Sequence, residues 1–194
     1  MATLSDIITS KVRIKILELF FSNLKEIYHV RGIVREVSEE INAVRRELEK
    51  FESVGLLKKE PRGNRVYYYV RQDHPFFGDL ASMVAKTTGL GASLINNKNK
   101  IGKVSFVMFS GKFSRMKDRK KDDEVDMLVV GEIVLPELAA LIRVEESKRN
   151  REINYTVMTR DELEFRKKRR DPFLLGVLAG SRVMIIGDEE DLVS

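Results

Sequence analysis

Cysteine is absent from the 194 residues, which removes disulfides and thiolate chemistry from consideration. No uncharged apolar run approaches the length that a membrane span needs. The segment Met1 to Ser10 lacks the basic start and apolar core of an export signal, so the expectation is a cytoplasmic protein with no membrane partner. The only two histidines, His29 and His74, are far apart and have no cysteine or acidic neighbour at ligand spacing. That argues against a structural zinc site, and neither histidine is assigned a catalytic role. The balance that remains is globular, with 43% hydrophobic and 34% charged residues. A net charge of +5 and a pI near 9.3 favour polyanionic partners where the cations cluster.

Apolar spacing predicts three helices in the first half. Val12, Ile16, Leu19 and Phe20 form one stripe, Val30, Ile33, Val34 and Val37 a second, and Ile41, Val44, Leu48 and Phe51 a third. Only Ser38-Glu39-Glu40 separates the last two. So short a link forces a steep crossing, with Ser38 suited to cap the following helix. With Val44, Leu48 and Phe51 inward, Asn42, Arg45, Arg46 and Glu49 point outward. Arginine pairs with guanine O6/N7 and asparagine with adenine N6/N7, so this face suits recognition of base edges in a major groove. An ordinary solvated helix surface is the competing reading. After Gly55 come Leu56 to Lys59, the turn Pro61-Arg62-Gly63-Asn64, and the β-forming run Arg65 to Val70: a hairpin whose tip carries Lys59, Arg62 and Arg65, placed to hold phosphates. Phe76, Phe77, Leu80, Met83 and Val84 predict a further helix to about Thr87. Gly89, Gly91 and the polar run Asn96 to Lys100 read as a boundary.

The stretch Val37 to Val70, with Asn42-Ala43-Val44-Arg45-Arg46-Glu47-Leu48 and Gly55-Leu56-Leu57, resembles ArsR-like winged helix-turn-helix regulators of bacteria and archaea. The likeness covers most of residues 10–70. It implies double-stranded DNA as partner and transcription regulation as function, with a homodimer as one common arrangement. Winged helices also serve as protein-interaction modules, and that reading stays open.

In the second half, the runs Lys103 to Ser110 and Val125 to Gly131 predict strands buried on both faces, and Ile153 to Met158 and Val183 to Ile186 predict further strands. Helices are expected over Leu135 to Lys148, Thr159 to Lys168 and Phe173 to Leu178. The segment Asp122-Asp123-Glu124-Val125-Asp126 enters the second strand, and side chains two apart on a strand share a face, so Glu124 and Asp126 are a candidate metal pair. This arrangement, continuing through Arg151 to Thr156, Asp171 to Leu174 and Ile186 to Glu189, resembles the minimal nucleotidyltransferase family. The family aligns a nucleoside triphosphate with metal-binding carboxylates and a Gly-Ser pair, and prokaryotic proteins fuse it to winged helices in this order.

The resemblance implies metal ligation by Glu124, Asp126 and a third group, and nucleotide contacts from Ser110, Gly111 and Lys112. The chain departs from the pattern in three places. Ser110-Gly111-Lys112-Phe113 runs into a basic segment, Arg115 to Lys121; Glu124 stands where aspartate is usual; and uncharged Asn154 falls at the third position, leaving Glu152 as a displaced substitute. Two-metal chemistry depends on anionic ligands, so these departures argue against catalysis. A second basic run, Arg166 to Arg170, reads as an exposed helix end.

The expectation is therefore an α+β protein with a winged helix-turn-helix over residues 1–90 and a nucleotidyltransferase-like α/β sandwich over 101–194. On this reading the sandwich is inactive and used for dimerisation, sensing or binding a protein partner. The alternative is a transferase acting on protein or RNA, with Mg2+ and a nucleoside triphosphate as cofactors.

Overall fold

A computed structural model describes residues 7–117 and 124–194. The chain divides into two compact units, Met1–Thr87 and Thr88–Ser194. Each is mixed α+β and built on its own small sheet.

In the first unit α1 (Lys11–Ser22) starts at Ser10, whose hydroxyl accepts from the Arg13 amide. Its inward face carries Ile16 and Phe20, as the stripe predicts, joined by Ile14, Leu17 and Phe21, while Val12 and Leu19 are only half-buried. Next come β1 (Tyr28–His29), α2 (Val30–Val37) and α3 (Ile41–Ser53). His29 caps α2, its Nδ1 accepting from the Gly32 amide at 2.8 Å.

The expected cap at Ser38 is corrected. Reversing the chain within three residues needs one left-handed position, and Ser38 takes it at φ +51° as the C-terminal cap that follows α2. The cap of α3 passes to Glu40, next to the helix, whose carboxylate accepts from the Ala43 amide at 2.9 Å. The antiparallel hairpin of β2 (Leu57–Arg62) and β3 (Arg65–Val70) turns at Gly63, where φ is +56°, a backbone setting that glycine adopts without steric cost. Sheet order is β1-β3-β2, so Pro61 lies on an edge strand, where its missing N–H is tolerated. Helix α4 (Phe77–Thr87) closes the unit. Ile33, Val44 and Leu48 are wholly buried with Ile16. Each such side chain contributes about 1.5–3 kcal/mol.

The second unit begins at Thr88 and takes in the whole segment read as a boundary. Gly89–Asn96 is a helix, α5, with Leu90 and Leu94 buried one turn apart; Gly89, at φ +53°, bends the chain into it. There follow β4 (Gly102–Ser110), the single turn α6 (Gly111–Ser114), β5 (Met127–Ile133), α7 (Leu135–Arg149) and β6 (Tyr155–Met158). The chain ends with α8 (Arg160–Lys168), α9 (Pro172–Ala179), β7 (Arg182–Ile186) and α10 (Glu189–Val193). Sheet order is β6-β5-β4-β7. β4 runs antiparallel to both β5 and β7, and β5 runs parallel to β6, a pairing that requires the crossover through α7.

Phe106, Met108, Leu128 and Val130 pack with Leu163 of α8, Leu174 of α9 and Leu192 of α10. Alternation sends Val107, Phe109, Met127 and Val129, all buried, to the opposite face. There Phe109 meets Phe113 of α6 edge-on at 5.0 Å. This double coverage is why the strands read as continuous apolar runs.

Candidate nucleic-acid interface

All four residues assigned to the outer face of α3, Asn42, Arg45, Arg46 and Glu49, are exposed. Arg45 and Glu49, one turn apart, form one wall of a groove of about 540 Å³. The hairpin supplies Lys59, Asn64, Arg65, Val66 and Tyr68, and the start of α2 supplies Val30 and Arg31 beside His29. Arg31, Arg45, Lys59 and Arg65 thus stand around a space that holds the single carboxylate of Glu49. Concentrated charge of one sign at a concave surface raises the local potential and draws in anions.

The hairpin tip adds to this field, because Arg62 and Arg65 are direct cross-strand partners, and like charges so placed repel. Arg62 relieves part of the repulsion by turning to Glu60 at 2.7 Å, its guanidinium 5.3 Å from the Tyr67 ring centre. Of the six residues singled out for DNA contact, Arg45, Lys59 and Arg65 are brought together on the groove. Asn42 and Arg46 lie on the same helix face outside it, and Arg62 is engaged within the hairpin. Arg31 was not anticipated. It stands in the first turn of a helix whose sequence carries no sign of facing the hairpin.

The presentation of α3 depends on α1. Lys15 donates to Val37 O at 2.8 Å and to Glu39 Oε1 at 2.7 Å, which pins the link between α2 and α3. Glu47, 8% exposed, accepts from Arg13 Nε at 2.8 Å and Ser10 Oγ at 3.0 Å, which pins α3 itself. Burial pushes the Glu47 carboxyl up, but the bonds from Arg13 and Ser10 and the charges of Arg13 and Lys50 outweigh it and hold the group below its ordinary value. At Glu40 the amides of Asn42 and Ala43 lower the carboxyl likewise.

In the second unit Ser110, Gly111, Lys112, Glu124 and Asp126 do share a cavity, of about 530 Å³, walled by Pro172, Phe173, Gly176 and Val177. Their polar atoms are committed elsewhere. Ser110 Oγ caps α6, accepting from the Phe113 amide at 3.2 Å. The Gly111 amide donates to Ser181 O at 2.6 Å, and a β-carbon there would collide with the Ser181 side chain. Lys112 Nζ lies 2.5 Å from Glu124 Oε1. Asp126 is 1% exposed, and both its oxygens are met: Oδ1 by Arg151 Nη2 at 3.3 Å, Oδ2 by the Asn154 amide at 3.1 Å. Asn154 Nδ2 also donates to Glu124 O at 3.0 Å.

The strand argument for the carboxylates is corrected. β5 starts at Met127 and β6 at Tyr155, so Glu124 and Asp126 precede one strand and Glu152 and Asn154 the other. Glu152 is exposed and does not line the cavity. Asp118 to Lys121 of the basic run, together with Asp122 and Asp123, fall outside the described residues. Among the described residues no three His, Cys, Asp or Glu side chains gather as a metal site, and no helix is long and apolar enough to cross a membrane.

Comparison with protein-family models, curated proteins and solved structures gives no match to this chain.

Proposed function

We propose that the chain is a DNA-binding transcriptional regulator, with a winged helix-turn-helix over residues 1–90 and a nucleotidyltransferase-like unit over residues 101–194 that performs no catalysis. The observation that carries the reading is the groove in which Arg31, Arg45, Lys59 and Arg65 surround one carboxylate. A helix fits the major groove of B-DNA, roughly 12 Å wide. With α3 seated there, Arg45 meets a guanine edge, Asn42 an adenine edge, and Arg46 the bordering backbone, while Lys59, Arg62 and Arg65 follow flanking phosphates. A phosphate between Arg62 and Arg65 would relieve the repulsion across the hairpin tip.

For the second unit, support comes from the donors around Asp126. A guanidinium and an amide occupy the oxygens that a metal would need, so the carboxylate acts as a structural anion. The cavity beside it then serves regulation rather than phosphoryl chemistry.

The test is a mobility-shift titration of the full chain against genomic fragments. A preferred sequence should emerge, and Arg45→Ala should weaken binding at that site by about 1–3 kcal/mol. Equal affinity for every fragment, untouched by Arg45→Ala, rejects the reading.

A further inference from the structure

Helix α9 consists wholly of apolar residues, Pro172 to Ala179, yet buries only Leu174. Phe173, Gly176 and Val177 wall the cavity beside Asp126. Leu175 and Ala179, one turn apart, line neither that cavity nor the core, and both are exposed, Leu175 by 48%. On the preceding helix, α8, Phe165 is 54% exposed under the Arg169 guanidinium, 4.6 Å from its ring centre. An apolar patch of this kind, rimmed by charge, is the usual form of a protein-association surface.

The charges at the two ends of α9 have opposite sign. Its N-terminal end follows Lys168, Arg169 and Arg170, which have no carboxylate partner among the described residues; Arg166, by contrast, is already paired with Glu162 and Asp171. At its C-terminal end the side chain of Arg182, 10% exposed, donates through Nη2 to Leu178 O and Gly180 O, and its Nε faces Glu189 at 3.5 Å. That contact brings the acidic first turn of α10 to this end of α9. Glu190 and Asp191 there have no cation partner among the described residues.

We propose that α9 is the seam of a homodimer, in which the helix packs antiparallel against the same helix of a second copy. A two-fold axis through such a seam sets Leu175 and Ala179 against their own symmetry mates. It lays the Lys168–Arg170 end of each copy beside the Glu189–Asp191 end of the other. A surface that is apolar along its length and opposite in charge at its ends complements itself only in the antiparallel sense, which is the isologous geometry of a closed dimer. The opposed ends fix register and orientation, and the apolar stripe supplies the affinity.

Sedimentation equilibrium of the full chain tests this. Wild type should be dimeric at micromolar concentration. Leu175→Glu, a change at an exposed position whose folding is checked by circular dichroism, should raise the dimer dissociation constant at least about tenfold. Arg170→Glu and Glu190→Lys should each weaken the dimer, and the double variant should return it to within about threefold of wild type, a rescue that loss of folding cannot imitate. A chain monomeric at all these concentrations overturns the proposal. So does a dimer indifferent to all four variants, or a monomer that instead binds vesicles of anionic phospholipid. The outcome is separable from DNA binding: a monomer that shifts a preferred duplex removes this seam alone, and a dimer that ignores DNA removes only the regulatory reading.

Discussion

Around the groove of the first unit, Arg31, Arg45, Lys59 and Arg65 face solvent with Glu49 as the one carboxylate lining it, whereas in the second unit the cavity's Glu124 and Asp126 are met by Lys112 and, from outside the lining, by Arg151 and Asn154. The two places have similar volume, and both collect ionisable side chains. They differ in how far the charge is already satisfied: of the four groove cations, Lys59 alone has a carboxylate partner among the described residues, Glu52 at 4.0 Å. A cluster with unspent charge and an open approach is arranged to meet a partner of opposite sign. A cluster whose donors and acceptors are matched internally holds the fold together. The partners around each group point the same way as the residue types, which already set the basic face above the carboxylates.

The sharpest way to break this contrast is Asp126→Ala. If the carboxylate is structural, its loss leaves Arg151 without its buried partner and the Asn154 amide without an acceptor, so unfolding of the second unit should become easier by about 3 kcal/mol in a denaturant titration. A change below about 1 kcal/mol would mean that Asp126 is held for chemistry and not for stability.

Glu47 is the counterpart in the first unit, a buried carboxylate that positions the exposed cations. Glu47→Ala should cost about 2 kcal/mol of stability by thermal or denaturant unfolding. Because the folded carboxyl lies below its unfolded value near 4.5, its contribution is complete above that pH and falls away as pH drops through the lower folded value. Glu47→Gln should therefore flatten the acid limb of the stability profile; an unchanged limb contradicts the assignment. Smaller again is Glu40→Ala, which removes the cap of α3 and should lower the unfolding midpoint by less than Glu47→Ala does, while Ser38→Ala, at a position that caps nothing in α3, lacks this effect.

Much of the framework was legible because it rests on periodicity. The stripes Val30 to Val37 and Ile41 to Phe51, the turn at Gly63 and the apolar runs of β4 and β5 each state their own burial. What escaped depends on tertiary placement. β1 is two residues long, too short to show alternation, and it exists because Tyr28 and His29 pair with Tyr68 and Tyr67. Gly89 and Gly91 read as breakers, yet Leu90 and Leu94 drive a helix because α7 is there to cover them. The partnerships of Glu47 with Arg13 and of Asp126 with Arg151 join residues remote in sequence, and no local pattern marks them. The same holds for Arg31, whose place on the groove is set by how α2 meets the hairpin.

The account rests on unspent positive charge in the first unit serving a nucleic-acid backbone. Its most direct test is the affinity of the full chain for a short duplex, measured by fluorescence anisotropy across a range of salt, for wild type and Arg65→Ala. With about four phosphates neutralised, the double-logarithmic slope should be near −3.6, and Arg65→Ala should make it shallower by about 0.9. A slope near zero, or one that Arg65→Ala leaves unchanged, would contradict the account.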